Sequence, residues 1–364
     1  MMKRVDTLMQ RALSENVFPG GVLLVSKEDS LVLVKAYGYA NIFSKRKMTR
    51  ATIFDLASLT KPLATTLAIM RLIQQCKLDL EQNLGAVLPQ FKKTDKEHIR
   101  IKELLCHNSG LPDYRPYYKT LCELPSEVRK DSLRDLLVKE FLLFPTGGRE
   151  LYSDLGFMVL EWIAESLSGR RLDHFVSEEI YRMLGLSPDA GRGLFFVDRV
   201  LKPGKESFAA TELCPWRNIL LEGTVHDENA YVVGGVAGHA GLFGTADDIH
   251  SLLSELLASF HGYSLVDLFP KALIQTFFER QGDKGRPLGF DCPSWPDASC
   301  GKFFSERSVG HLGFTGTSFW MDLDRSIIVI LLTNRVHPSR NNTKIKAFRP
   351  KLHDTVMETI KILR

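Results

Sequence analysis

Three short segments carry residue types suited to acyl transfer. Ser58-Leu59-Thr60-Lys61 places a hydroxyl and an amine three residues apart, a spacing that puts both on one helix face. A serine hydroxyl is a poor nucleophile until a neighbouring base takes its proton. Lysine serves if burial or positive surroundings lower its pKa, and a helix start favours the negative charge that develops. Tyr152-Ser153-Asp154 adds a phenol that a nearby lysine can acidify, making it a general base and then an acid. Its Asp154 can hydrogen-bond the lysine or a substrate amide. His311-Leu312-Gly313-Phe314-Thr315-Gly316-Thr317 sets glycines where a strand can come close and aim backbone N–H groups at an oxyanion. His311 could hold a substrate carboxylate. Each segment alone also has a plain structural reading: a Ser/Thr cap with a surface lysine, a helix start capped by Ser153 or Asp154, and a glycine-rich strand edge with a structural histidine.

The elements that must position these residues are legible from patterning. Val5, Leu8, Met9 and Leu13 repeat at helical spacing. Val22–Val25 and Leu31–Val34 are β-rich runs separated by Lys27-Glu28-Asp29-Ser30, which predicts a hairpin. A helix is predicted from about Ser58 through Gln75, with Pro62 tolerated in its first turn. Helical patterns alternate with polar loops between about His98 and Gly185. Ser318–Met321 and Ile327–Leu332 read as strands joined by a turn at Asp322-Leu323-Asp324-Arg325, and residues 351–363 as a closing helix. Strands near both ends with a helical block between them predict an α+β fold. In it an antiparallel sheet, built from both termini, is flanked by helices and joined to a mostly helical part. The expected organisation is one domain over 1–364, with the α/β part near 1–60 and 240–364 and the helical part near 61–239.

At 364 residues, 44% hydrophobic and 25% charged, the chain has ordinary globular composition and enough length for a sizeable core. A net charge of +4 with no basic cluster beyond runs such as Lys45-Arg46-Lys47 gives no reason to expect nucleic acid as a partner. No segment approaches the ~20 apolar residues of a membrane helix. Met1-Met2-Lys3-Arg4 is not followed by an apolar run, so no secretory leader is visible. The six cysteines lack zinc or redox spacing. Both observations fit a cytoplasmic location, although a periplasmic protein whose leader had been removed would read the same way.

The three segments in this order resemble the class C β-lactamase and penicillin-binding protein family. The resemblance extends to Phe54-Asp55-Leu56-Ala57 before Ser58, to Leu104-Leu105-Cys106-His107-Asn108-Ser109-Gly110-Leu111-Pro112, to Pro145 through Asp154, to Leu184-Gly185-Leu186 and to Leu331-Leu332-Thr333-Asn334-Arg335. It implies a β-lactamase/transpeptidase-like fold and a serine hydrolase working through an acyl-enzyme on a small ester or amide. Ser58 would attack, Lys61 and Tyr152 would manage its proton, and the N–H groups of Ser58 and Phe314 would form the oxyanion hole. Neither a metal nor an organic cofactor is needed. The expected substrate is a small molecule or short peptide, such as one ending in D-alanine. A carboxylesterase or acyltransferase is the alternative within catalysis. An idle relative binding peptidoglycan fragments or a partner protein is the alternative outside it, and the oligomeric state is open.

Two departures stand out. His311-Leu312-Gly313 replaces the usual Lys-Thr-Gly, removing a hydroxyl and leaving a histidine that is only partly charged near neutral pH. Asp154 replaces the usual Asn and can pair with Lys61. Both argue against an efficient β-lactamase. Val225-His226-Asp227-Glu228-Asn229-Ala230 and Gly238-His239-Ala240-Gly241-Leu242-Phe243 resemble segments of the penicillin-binding-protein-4B-like branch. They bring His226 and His239 forward, with Asp154, His311 and Gly313, as candidate substrate-binding residues. A zinc site from His226, Asp227 and His239 is possible on ligand type, but the spacing matches no helical metal motif.

Overall fold

A computed structural model describes residues 2–186, 193–197, 204–282 and 285–362. Gly20–Lys27 and Ser30–Asn41 form the expected hairpin. Glu28 and Asp29 at its tip take φ of 49° and 61°, left-handed at both central positions, so the tight turn matches the strands' twist. Ile327–Thr333 lies antiparallel beside Gly20–Lys27, with Gly21 opposite Thr333 and Lys27 opposite Ile327. The two ends of the chain therefore meet in one antiparallel sheet of order Arg46–Lys47, Ser30–Asn41, Gly20–Lys27, Ile327–Thr333, Ser318–Asp322, Val309–Leu312.

Alternate side chains go to opposite faces of this sheet. Leu23, Val25, Trp320, Val329 and Leu331 pack with residues of the helices Lys3–Ser14 and Ile345–Ile362. Val22, Leu24, Phe319, Ile328, Ile330 and Leu332 pack on the other side with the helices Thr66–Gln74, Asp154–Ser168 and Ala246–His261. Both faces are covered, so Ile327–Leu332 is an unbroken apolar run, and each fully buried Leu or Ile contributes roughly 1.5–3 kcal/mol. The closing helix begins at Ile345, earlier than its sequence pattern suggests, and runs through Pro350, a residue that reads as a break. The expected last position, 363, lies outside the described residues. Among those residues no helix is long and apolar enough to cross a membrane.

The expected helix from Ser58 to Gln75 is three pieces: a tight turn Ala57–Leu59, a π-helical turn Lys61–Thr65 and the α-helix Thr66–Gln74. Pro62 has no N–H to bond the carbonyl four residues back, so the ladder opens there, and Thr66 N–H reaches Lys61 O instead. Such widened turns recur at functional sites.

Candidate active site

Ser58 follows the short strand Phe54–Asp55. Ala57 takes φ 48°, a conformation costing about 1 kcal/mol or more for a residue with a side chain. Asp55 holds it there: Oδ1 accepts Ala57 N–H at 2.9 Å and Oδ2 accepts His226 N–H at 2.6 Å. The Ala57 carbonyl is pinned by Thr60 Oγ1 at 2.6 Å. The C=O and N–H of a trans peptide point in opposite directions, so the Ser58 N–H of that same peptide is turned to the other side.

Lys61 is fully buried. Its Nζ donates to Ser58 Oγ at 3.1 Å, Asp154 Oδ1 at 2.7 Å and the His239 carbonyl at 3.1 Å, three acceptors for the three hydrogens of an ammonium. Burial works to depress its pKa, but Asp154 and then Tyr152 outweigh burial and push it up to about 12. The condition for a lysine base, a lowered pKa, is not met in the resting site, because the carboxylate of Asp154 at 2.7 Å, the pairing expected from the sequence, stabilises the charged form. Asp154 is the first residue of the helix Asp154–Ser168, which Ser153 caps by accepting Gly156 N–H at 3.2 Å. The structural reading of this segment and the pairing of Asp154 with Lys61 are realised together.

Tyr152 lies under Lys61, 4.9 Å from Nζ to ring centroid, with the rings of His107 at 4.5 Å and His311 at 5.9 Å. It keeps 37% of its surface exposed. Even so, desolvation in this crowded setting raises its phenol pKa, against the pull of Lys61 and with the push of Asp154; Ser58 is close enough to pull it down as well. The resting pair is thus a charged lysine beside a neutral tyrosine, the reverse of an acidified phenol.

His311, in the edge strand Val309–Leu312, is buried, with Nδ1 against the Leu312 carbonyl at 2.9 Å. Burial, opposed by Asp291 and aided by Lys61 and Arg286, lowers its pKa to about 4, so at neutral pH it carries no charge. Beyond it, Thr315 Oγ1 donates to Asp55 O at 2.7 Å and Thr317 Oγ1 to Leu56 O at 3.1 Å, stitching this segment to the residues before Ser58. The Gly313 carbonyl accepts Gly316 N–H at 3.1 Å and Arg349 Nη2 at 3.5 Å, which turns the Phe314 N–H of the same peptide the opposite way. A Cβ on Gly313 would sit 2.0 Å from Thr317 Oγ1 and 2.6 Å from Leu56 O. Gly313→Ala should therefore part the two segments and slow Ser58 labelling by a fluorophosphonate by about tenfold, equivalent to ~1.4 kcal/mol, read by intact mass against time.

This architecture and these segments coincide with a known family. The Beta-lactamase family model matches residues 5–349. The chain belongs to the Beta-lactamase family. It is a serine hydrolase of that family. An N-acetylmuramyl-L-alanine amidase of Bacillus subtilis (strain 168) is 36% identical to it, over 92% of this chain and 81% of that protein. An Escherichia coli (strain K12) protein provisionally named D-alanyl-D-alanine carboxypeptidase is 32% identical over 90% and 82%. Among solved structures, EstCE1, a hydrolase with promiscuous acyltransferase activity, is similar at TM-score 0.73 and 25% identity over 96% of this chain and 98% of that one. The octameric penicillin-binding protein homologue from Pyrococcus abyssi matches at TM-score 0.73 and 21% identity, over 100% and 77%, a likeness of fold.

Within this β-lactamase fold two further residues, Arg286 and His107, wall the site. Arg286 pairs with both Glu150 and Asp291 and lies 6.0 Å from the Tyr152 ring. His107 Nδ1 accepts Ser153 N–H at 2.9 Å, and its pKa is lowered by burial, then by Arg286 and Lys61, so it walls Tyr152 as a neutral ring. His107 was visible in its motif, whereas Arg286 is brought in only by the tertiary fold. The structure does not bring His226 and His239 to an exposed lining: they are 4% and 1% exposed. His226 Nε2 faces Glu212 at 3.1 Å, and its ring backs the exposed Phe314 at 5.5 Å. His239 Nε2 faces Asp227 at 2.9 Å. The two histidines thus sit in separate acid pairs, and among the described residues no three or more His, Cys, Asp or Glu are grouped to hold a metal ion.

Proposed function

We propose that Ser58 forms an acyl-enzyme with an amide of a peptidoglycan-derived fragment and that water then releases the acyl group. The observation that carries this reading is the 3.1 Å contact between Lys61 Nζ and Ser58 Oγ, with Tyr152 alongside. Attack requires removal of the Ser58 proton. The resting ammonium and neutral phenol cannot take it, so the competent form has one proton fewer shared among Ser58, Lys61 and Tyr152, and its abundance rises with pH. Oγ bonds to the carbonyl carbon, and the oxyanion is met by the N–H groups of Ser58 and Phe314. The held proton passes to the departing amine, and water repeats the sequence to free the acid and Ser58.

The charges around the site favour an amide with no carboxylate on the scissile residue. His311 is neutral near pH 7, Lys61 is engaged by Asp154, and Arg286 by Glu150 and Asp291. A substrate carboxylate drawn to Lys61 or Arg286 would have to displace one of those partners. The bond named for the Bacillus subtilis relative, N-acetylmuramyl to L-alanine, meets this condition when the alanine carboxyl is itself in amide linkage. A terminal D-alanyl-D-alanine does not. Purified enzyme should release L-alaninamide from N-acetylmuramyl-L-alaninamide at least about tenfold faster, at equal concentration, than D-alanine from a D-alanyl-D-alanine peptide. Amine release followed by chromatography checks this, and the reverse preference would overturn the substrate assignment. The likeness to EstCE1 favours a second reading, ester hydrolysis or acyl transfer, for which a 4-nitrophenyl ester with and without an alcohol acceptor is the probe. Six free cysteines fit work in a reducing, cytoplasmic compartment.

A further inference from the structure

Phe314 offers its backbone N–H to the reaction, but its ring has no part in the steps above. The side chain is 49% exposed, yet two fixed groups support it. The Arg335 guanidinium lies 4.6 Å from the ring centroid and the His226 imidazole 5.5 Å from it, tilted by 32°. Arg335 is itself anchored, with Nε donating to Phe314 O at 2.9 Å and Nη1 to the carbonyls of Arg340 and Asn342 at 2.9 and 2.7 Å. His226 is held at both ends, its backbone N–H by Asp55 at 2.6 Å and its Nε2 by Glu212 at 3.1 Å. A polar frame continues from these supports, in which Arg340 pairs with Glu212 and Glu228, each at 2.6 Å. The aromatic wall extends through Arg217, which donates to the His226 carbonyl at 3.0 Å. Its guanidinium lies 4.1 Å from the ring of Tyr231 and 5.3 Å from that of Trp216, both exposed.

We propose that the Phe314 ring is the platform on which the sugar ring of the acyl group stacks, which makes Phe314 a specificity-determining residue. The inference rests on the reading of the substrate as an amide of a peptidoglycan-derived fragment. A residue whose N–H meets the oxyanion carries its side chain close to the other groups on the same carbon. The departing amine must turn to Lys61 and Tyr152 for its proton. The Tyr152 ring is flanked by His107 and His311, a different wall from the His226 and Arg335 that support Phe314. The acyl substituent is thus left to the Phe314 side. A pyranose has C–H groups on its faces and hydroxyls around its rim, so one flat aromatic surface set among polar groups suits it. The Phe314 ring beside His226, Arg335 and the Arg340 carboxylate pairs has that composition. A plain acyl chain would be better matched by an enclosed apolar pocket. An aromatic side chain has only two torsions to fix, and its supports fix them before substrate arrives.

The test compares kcat/KM for N-acetylmuramyl-L-alaninamide with that for D-lactoyl-L-alaninamide, which keeps the acyl unit and lacks the sugar. Wild type, Phe314→Ala and Phe314→Leu are measured, with melting temperatures alongside. Both amides release L-alaninamide through the same oxyanion site, so their ratio cancels any change at Ser58 or at the Phe314 N–H. Wild type should prefer the sugar-bearing amide by at least about thirtyfold, because binding a part remote from the scissile bond lowers the barrier there. Phe314→Ala should cut that ratio at least about fivefold. Phe314→Leu, which keeps apolar bulk without a flat ring, should cut it at least about threefold and serves if the alanine variant does not fold. A folded alanine or leucine variant that keeps the wild-type ratio would overturn the proposal, as would a wild type that cleaves both amides equally. Either result leaves the amidase reading standing. A wild type that takes a fluorophosphonate at Ser58 but cleaves neither amide would instead overturn the substrate reading, and this inference with it.

Discussion

Asp154→Asn should shift the ascending limb of the pH–rate profile for Ser58 acylation down by at least about one unit, which is on the order of tenfold more competent enzyme at neutral pH. The sign follows from the forces on Lys61. Burial favours its neutral amine, and Asp154, followed by Tyr152, overrides burial. An amide at 154 keeps a hydrogen-bond acceptor 2.7 Å from Nζ but no charge, so burial regains control and the lysine loses its proton at lower pH. Tyr152 moves in the same direction, because Asp154 also contributes to raising the phenol. Stopped-flow labelling with a fluorophosphonate from pH 5 to 10 reads the limb without depending on the natural substrate. An unshifted limb would mean that neither Lys61 nor Tyr152 is the group whose deprotonation limits attack.

The larger loss is expected for Ser58→Ala, at least about 10³-fold in kcat/KM, since removing a nucleophile leaves only binding and oxyanion stabilisation. The fold should survive. Ser58 Oγ receives one of the three Lys61 hydrogen bonds, the other two acceptors remain, and no volume is removed from the apolar core. Unchanged melting with activity lost assigns the hydroxyl to chemistry. Activity retained within tenfold would remove Ser58 from the mechanism.

The four central strands of the sheet were legible because their determinants are local, apolar runs at 22–34 and 318–332 each with its turn, whereas the edge strands Arg46–Lys47 and Val309–Leu312 take their place from the tertiary fold. Gly313 and Ser153 were likewise readable, one as a site of close approach and one as a cap. Charge states were not. The same Lys61 is depressed by burial or raised by an acid depending on where residue 154 stands, and sequence spacing does not give a distance of 2.7 Å. Arg286 was invisible for a related reason, since it comes close to Tyr152 from 134 positions further along the chain. His226 and His239 were singled out for the density of histidine and glycine around them, yet burial places each against its own carboxylate, a pairing that composition alone cannot distinguish from a substrate lining.

The central claim, a working nucleophile at Ser58 in a site that does not favour a free carboxylate, is tested most directly by intact-protein mass spectrometry. Wild type and Ser58→Ala are incubated separately with a fluorophosphonate and with a penicillin, whose carboxylate would need a free cation. The account predicts one fluorophosphonate adduct on wild type, none on Ser58→Ala, and no stable penicillin adduct on either. A fluorophosphonate adduct that persists in Ser58→Ala, a wild type that takes no fluorophosphonate, or a stable penicillin adduct on wild type would contradict it.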